Sequence, residues 1–167
     1  SNLKVHNYDT NKFTKFFIND FDWKFKNINF ASGLKGRFLA KLKNVNYEAK
    51  NTSELYKDDT TSEFFGAVGY LSEIDLYKKT DKGSDQLLTP KLLLKYAPGH
   101  MRKEKNGARL NQLNVFNLDR LNSYNNFENG LNATIGFDYE IKNLDKKLNF
   151  SLAQIVNEKE NKNMPST

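Results

Sequence analysis

The stretch GLNATIGFDYEIKN, residues 130–143, alternates without a fault. Leu131, Ala133, Ile135, Phe137, Tyr139 and Ile141 share one parity, and Asn132, Thr134, Gly136, Asp138, Glu140 and Lys142 share the other. Successive side chains of a β-strand point to opposite faces, so the segment carries one apolar and one polar face. The polar face is expected to meet water. The apolar face meets either the core of a soluble sandwich or lipid, and the flanking sequence bears on the choice.

The same period recurs along the chain. Strands are expected at about 19–31, 34–47, 62–77, 86–97, 130–142 and 146–157, with part of a seventh inside 2–17. In the first, Phe21, Trp23 and Phe25 oppose Asp20, Asp22, Lys24 and Lys26. Parity then slips to Ile28 and Phe30, which predicts a bulge near Lys26–Asn27. In the second, Phe38, Ala40 and Leu42 share a face, and parity slips again before Val45 and Tyr47. A helical period is confined to a weak one in 113–121, inside a loop.

The connections alternate short and long. Short links surround ASGLKG (31–36), KKTDKGSD (78–85) and NLDK (143–146), whereas long loops occupy 48–61 and 100–129. In an antiparallel meander alternate connections emerge at opposite ends, so one end has tight turns and the other has long loops. Transmembrane β-barrels share that asymmetry. A loop near thirty residues is unusual in a compact domain. The expected strands also exceed the globular mode of about 5–6 residues and cover the roughly 9–11 residues of a tilted membrane strand. The expectation is therefore an all-β chain, an antiparallel up-and-down meander of about six to seven long strands. Residues 1–167 form a single segment, a section of a transmembrane β-barrel. Its lipid-facing residues would be Phe21, Trp23, Phe137, Tyr139 and Ile141, and its lumen-facing residues Asp20, Asp22, Lys24, Asp138 and Glu140.

Composition excludes several classes. The mean hydropathy of −0.75 and 28% charged residues exclude a helical membrane protein, and no window reaches the roughly 18–20 apolar residues of a spanning helix. Aromatics at 13% argue against disorder. Without cysteine there are no disulfides or thiolate-bound metals. The net charge of +6 is scattered among Asn and Asp rather than gathered in one block, so no nucleic-acid partner is expected. His6 and His100 lack the spacing of a metal site, and no nucleophile-elbow, Walker or dinucleotide motif occurs. Asp20 and Asp22 resemble an acid pair, but Lys24 and Lys26 beside them read as a charge ladder. Neither catalytic nor metal nor cofactor chemistry is expected. SNLKVHNYDT at the start and NEKENKNMPST at the end lack the marks of natural termini, so an excised segment of a longer protein is expected.

Four segments carry a family resemblance: LTPKLLLKYAPG (88–99), NVFNLDRLNSYNNFENG (114–130), LNATIGFDYEI (131–141) and LNFSLAQIVNEKENKNMPS (148–166). They resemble the lipopolysaccharide-assembly outer-membrane family (LptD, or organic solvent tolerance protein). Asn114, Phe116, Leu118, Arg120, Glu128 and Gly130 fall on its loop motif, Phe150, Ser151, Leu152 and Gln154 on a later strand, and Pro165–Ser166 on the end of the next loop. The departures are Asp119 and Leu121, which replace Asn and Phe, and Asn125–Asn126, where Asp–Arg is usual. The resemblance covers about residues 86–167 and implies the bacterial outer membrane. It implies a translocon that inserts lipopolysaccharide into the outer leaflet, with outer-membrane lipid, a lipoprotein plug and periplasmic bridge components as partners. The chain would be an interior section of the barrel wall, with loop 100–129 folding back over the lumen. Phe116, Leu118 and Leu121 would pack inward, and Arg120 with Glu128 would form either a loop-fixing ion pair or two solvated charges. The rival readings are another outer-membrane channel or porin and a soluble secreted β-domain that binds a partner.

Overall fold

The computed structural model describes residues 1–7, 11–52, 56, 59–79, 84–104, 110–143 and 146–164. Among them are nine strands and no helix: β1 (Asn2–Asn7), β2 (Phe13–Lys24), β3 (Ile28–Asn29), β4 (Leu34–Lys50), β5 (Thr60–Ile74), β6 (Leu76–Lys79), β7 (Asp85–Ala97), β8 (Gly130–Lys142) and β9 (Lys147–Asn157). They form one antiparallel meander in the order β1-β2-β4-β5-β7-β8-β9, with β3 beside β4 and β6 beside β7. Local sequence is enough to produce this order, because every neighbour in the sheet is the next long strand in the chain.

The alternation of 130–142 reproduces β8 to the residue. Two other expectations change. Residues 13–18 begin β2 instead of belonging to a separate seventh strand, and that strand is β1 alone. FTKFFI hides this because Phe16, Phe17 and Ile18 are consecutive and break the visible alternation. The regular pairing of β2 ends at Lys24 opposite Leu39 and resumes in the short β3 at Ile28 opposite Gly36, four residues against three, which is the one-residue excess of the bulge expected near Lys26–Asn27. β4 runs unbroken through the apparent slip before Val45. What changes there is the face that the apolar residues occupy, because a loop covers the other face of the sheet from that point on.

The connections sort by end. At one end, Phe30–Gly33 closes a turn in which Gly33 takes φ of 84°, a left-handed conformation that costs glycine little. Asn143 and Lys146 bond each other's backbone at the β8–β9 turn. The remainder of the KKTDKGSD and NLDK turns, parts of both long loops, and the Pro165–Ser166 motif lie outside the described residues. At the other end stand the connections 51–59 and 98–129.

The described residues of 98–129 turn back over one sheet face and become its second layer. Leu118 and Phe127 join Phe16, Ile18, Val45, Phe65, Leu71 and Leu93 in one buried core, and Met101, Val115 and Leu121 are buried as well. Gly69 makes the closest approach possible, since a Cβ there would meet Leu118 Cδ2 at 2.7 Å and Leu94 O at 2.9 Å. The C-terminal segment straps this layer down: Asn163 Nδ2 donates to Met101 O (3.0 Å), Glu104 N to Asn163 O (2.9 Å) and Asn161 Nδ2 to Asn129 Oδ1 (3.1 Å).

Candidate functional site

The layer divides the sheet into a covered face and a bare face. All five residues expected to face lipid lie on the bare face, and all five expected to face a lumen lie on the covered face. On the bare face Phe21 and Trp23 stack at 6.0 Å between ring centroids, and Phe137 meets Phe150 at 5.9 Å across the β8–β9 ladder. Phe137, Tyr139 and Ile141 are half-buried by such neighbours, whereas Phe64, Val68 and Ile135 are more than half exposed. An apolar face of this extent, spread over every long strand, far exceeds the few hundred Å² that soluble monomers expose.

On the covered face the charges pair across strands. Asp22 meets Lys41 at 3.1 Å and Glu140 meets Lys147 at 2.9 Å. Asp20 lies 3.9 Å from Lys43, and Asp138 bonds Lys91 and accepts from Ser151 Oγ at 2.6 Å. Lys24 and Arg37 make no ion pair among the described residues.

The centre of the site is a desolvated ion cluster beneath the loop. Glu128 Oε2 accepts from Arg120 Nε (2.8 Å) and from Lys95 Nζ (2.8 Å), and Oε1 accepts from Arg120 Nη2. Arg120 Nη1 donates to Thr134 Oγ1 at 3.0 Å. Arg120, Lys95 and Glu128 each expose 2% or less. The loop-fixing ion pair therefore forms, with bidentate geometry, and it is buried instead of solvated. Two cations against one carboxylate leave a formal +1 inside the cluster. Burial raises the Glu128 carboxyl, but the Arg120 hydrogen bond and the Lys95 and Arg120 charges outweigh it and hold it below the usual carboxylate range.

Two further anchors flank the cluster. Lys43 donates to Asp119 Oδ2 (2.9 Å) and to Ser123 O. Arg102 pairs with Glu63, and its guanidinium lies 5.4–5.9 Å from the Tyr47, Tyr56 and Phe65 rings. Burial and the neighbouring Tyr124 push the Tyr56 phenol above its ordinary value. Asn126 closes the turn: its Oδ1 accepts from Arg102 N and Phe127 N, both at 3.0 Å, while Nδ2 donates to Arg102 O at 2.9 Å.

Of the other motif residues, Asn114 exchanges hydrogen bonds with Asn111, and Leu118 fills the space above Gly69. Phe116 is only half-buried, with Lys91 Nζ 5.8 Å from its ring, so it packs inward less than Leu118 and Leu121. Gly130 takes φ of 103° where the loop enters β8. Sequence reasoning did not single out Lys95, Lys43, Thr134 or Arg102, and it marked Asn126 only as a departure from the motif. The departures Asp119 and Asn126 were a usable signal, since polar residues inside an otherwise apolar loop need partners.

Beside the cluster, an open recess of about 780 Å³ separates Val115 and Phe116 from Asp138, Ser151 and Ile155. A second, of about 380 Å³, lies among Lys24, Arg37, Lys41 and Phe116. His6 stands on β1 and His100 rests 5.3 Å from the Phe65 ring, and among the described residues no three His, Asp or Glu side chains gather as a metal site. No family model matches the chain, and no curated protein matches it.

Proposed function

We propose that the chain is a section of the wall of a β-barrel in the outer membrane of a Gram-negative bacterium, and that the barrel is the translocon that inserts lipopolysaccharide into the outer leaflet. One observation carries the membrane part: the sheet has built a second layer over one face and leaves the other, aromatic and aliphatic on every long strand, bare. In water that face costs about 25 cal/mol per Å² of apolar surface, whereas against acyl chains it costs nothing. The charged face with its docked loop then lines the lumen, and open strands β1 and β9 continue into neighbouring strands of the wall.

The lipopolysaccharide part rests on the resemblance of residues 88–166, with Arg120, Glu128 and Gly130 in its loop motif. The role is transport, without covalent chemistry and without a cofactor. Its partners are lipopolysaccharide, outer-membrane lipid, a lipoprotein plug and the periplasmic bridge. Depletion of the protein in its host, followed by pulse-labelling of lipopolysaccharide, tests this. Newly made lipopolysaccharide should stall before the cell surface, and unchanged surface delivery refutes it.

A second reading, a diffusion channel, is favoured by the loop pinned against the covered face, as a constriction would be. Conductance in planar bilayers separates the two: steady open-channel steps support the channel, and a closed barrel supports the translocon. A protein that is monomeric and stable without detergent contradicts both.

A further inference from the structure

In the hydrogen-bond registers the bare apolar face is a continuous belt. It covers residues 17–30 along β2 and β3, where Ile28 and Phe30 lie opposite Gly36 and Leu34, then 34–42 of β4, 64–76 of β5 and β6, 88–96 of β7, 131–141 of β8 and 148–156 of β9. Each run is nine to fourteen residues, enough to cross a bilayer as a tilted strand, which takes about 9–11. Asn19, Ser72 and Gln154 are its polar interruptions, and the Tyr70 ring lies over Gly36.

The belt does not run square to the strands. Its upper edge is Phe17 on β2, level with Asn46 of β4, and Val156 on β9, level with Phe38 of β4 through Ala133, Leu94 and Tyr70. Its lower edge also falls, from Phe30, whose N–H bonds Leu34 O, to Leu148, four residues lower through Ile141, Gln86, Lys78 and the register that continues β5. The upper edge descends eight residues over five strand-to-strand steps. At about 3.3 Å per residue and about 4.8 Å between strands, that is a tilt of about 48°. Membrane barrels tilt their strands by about 35–45°.

We infer that this oblique belt is the lipid-contact band and that its upper edge marks the boundary between acyl chains and headgroups. The inference rests on the membrane reading above and adds the position and angle of the chain in the bilayer. Above the edge the partner of the outer face changes. On β4, Asn44, Asn46, Glu48 and Lys50 follow Leu42, while the apolar residues Val45, Tyr47 and Ala49 move to the covered face beneath the loop. On β2 the exchange is the same: Phe16 and Ile18 lie under the loop, whereas Asp20, Asp22 and Lys24 continue that face below. On β5, Ser62 and Thr60 follow Phe64. Seven residues of β4 (44–50), about 23 Å of strand, therefore stand clear of the hydrocarbon, with the loop as their own small core.

Phe38, Leu94 and Val156 lie along one ladder row and are all exposed on the bare face. The row discriminates between an oblique belt and a square one. The chain has no cysteine, so Phe38→Cys, Leu94→Cys, Val156→Cys and Asn46→Cys each take one nitroxide label, in protein reconstituted into phosphatidylcholine vesicles. Relaxation by oxygen reports acyl chains, and relaxation by a water-soluble nickel chelate reports water. Oxygen should dominate at Phe38, weaken at Leu94 and give way at Val156, while nickel dominates at Asn46. Equal depth along the row overturns the oblique belt but leaves a membrane protein. Nickel dominance at Phe38 as well removes the membrane reading itself.

Discussion

Replacing Glu128 by Gln tests the ion cluster most directly. The substitution keeps the shape and one carbonyl acceptor but removes the only negative charge between Arg120 and Lys95. Both cations are almost fully buried, and they are left with the Thr134 hydroxyl and one neutral carbonyl as acceptors. Removing one partner of a buried pair typically costs about 3–5 kcal/mol, because the remaining charge stays desolvated. In this cluster two are left. At about 1.36 kcal/mol per factor of ten, the opening equilibrium of the loop should rise by about 150- to 5,000-fold. Lys95→Met makes the opposite change: it removes the surplus cation and leaves the bidentate Arg120–Glu128 pair neutral overall. It should alter loop opening by less than about tenfold. Hydrogen exchange of the loop amides, measured in detergent by mass spectrometry, reads both. Exchange in Glu128→Gln within threefold of the parent, or a larger effect from Lys95→Met, would refute the cluster as the anchor of the loop.

The same carboxylate sets a pH dependence. Its folded pKa is held below its ordinary 4.5, so its stabilisation is complete above that value and is lost as pH falls through the lower folded one. A nitroxide at the exposed Leu113 should remain immobile down to about pH 4.5 and become mobile only in stronger acid. In Glu128→Gln that acid step should be missing. Asn126→Ala leaves the Arg102 carbonyl and two backbone N–H groups without partners and should cost about 1–3 kcal/mol in denaturant titration. Gly69→Ala forces its methyl into Leu118 and the Leu94 carbonyl and should cost about 1–3 kcal/mol, read as a lower melting point. On the bare face, Val68→Arg near the middle of the belt should destabilise by about 2–4 kcal/mol and Asn46→Arg by about 0–1 kcal/mol. Equal costs at the two positions would contradict the lipid boundary between them.

The strands were legible because alternation is a local property of a half-covered sheet. It located β8 to the residue and β4, β5, β7 and β9 to within three residues at each end, apart from the tail that separates as β6. It failed where the medium changes along one strand. At Val45 the apolar residues switch faces because the loop supplies a second core, and a period-2 pattern reads that switch as a slip. Lys95 failed for a related reason. It sits on the polar parity of β7 beside Lys91, and only the loop, which arrives from more than thirty residues away in sequence, turns it from solvated to buried. Arg120 and Glu128, by contrast, lie eight residues apart within one motif, so their pairing was within reach of the sequence.

The loop touches five strands at once: Phe16 of β2 through Tyr124, Lys43 of β4, Glu63 and Gly69 of β5, Lys95 of β7 and Thr134 of β8. A one-residue slip of β7 would carry Lys95 to the bare face and bring Leu94 or Tyr96 beneath Glu128. No slipped sheet can therefore receive the loop with its charges matched. Bonds such as Lys43–Asp119 span 76 residues, so the entropy of closing them falls once the hairpins between them have paired. The loop thus works as a proofreader of assembly: it locks only a sheet in which the five strands it touches have found their register.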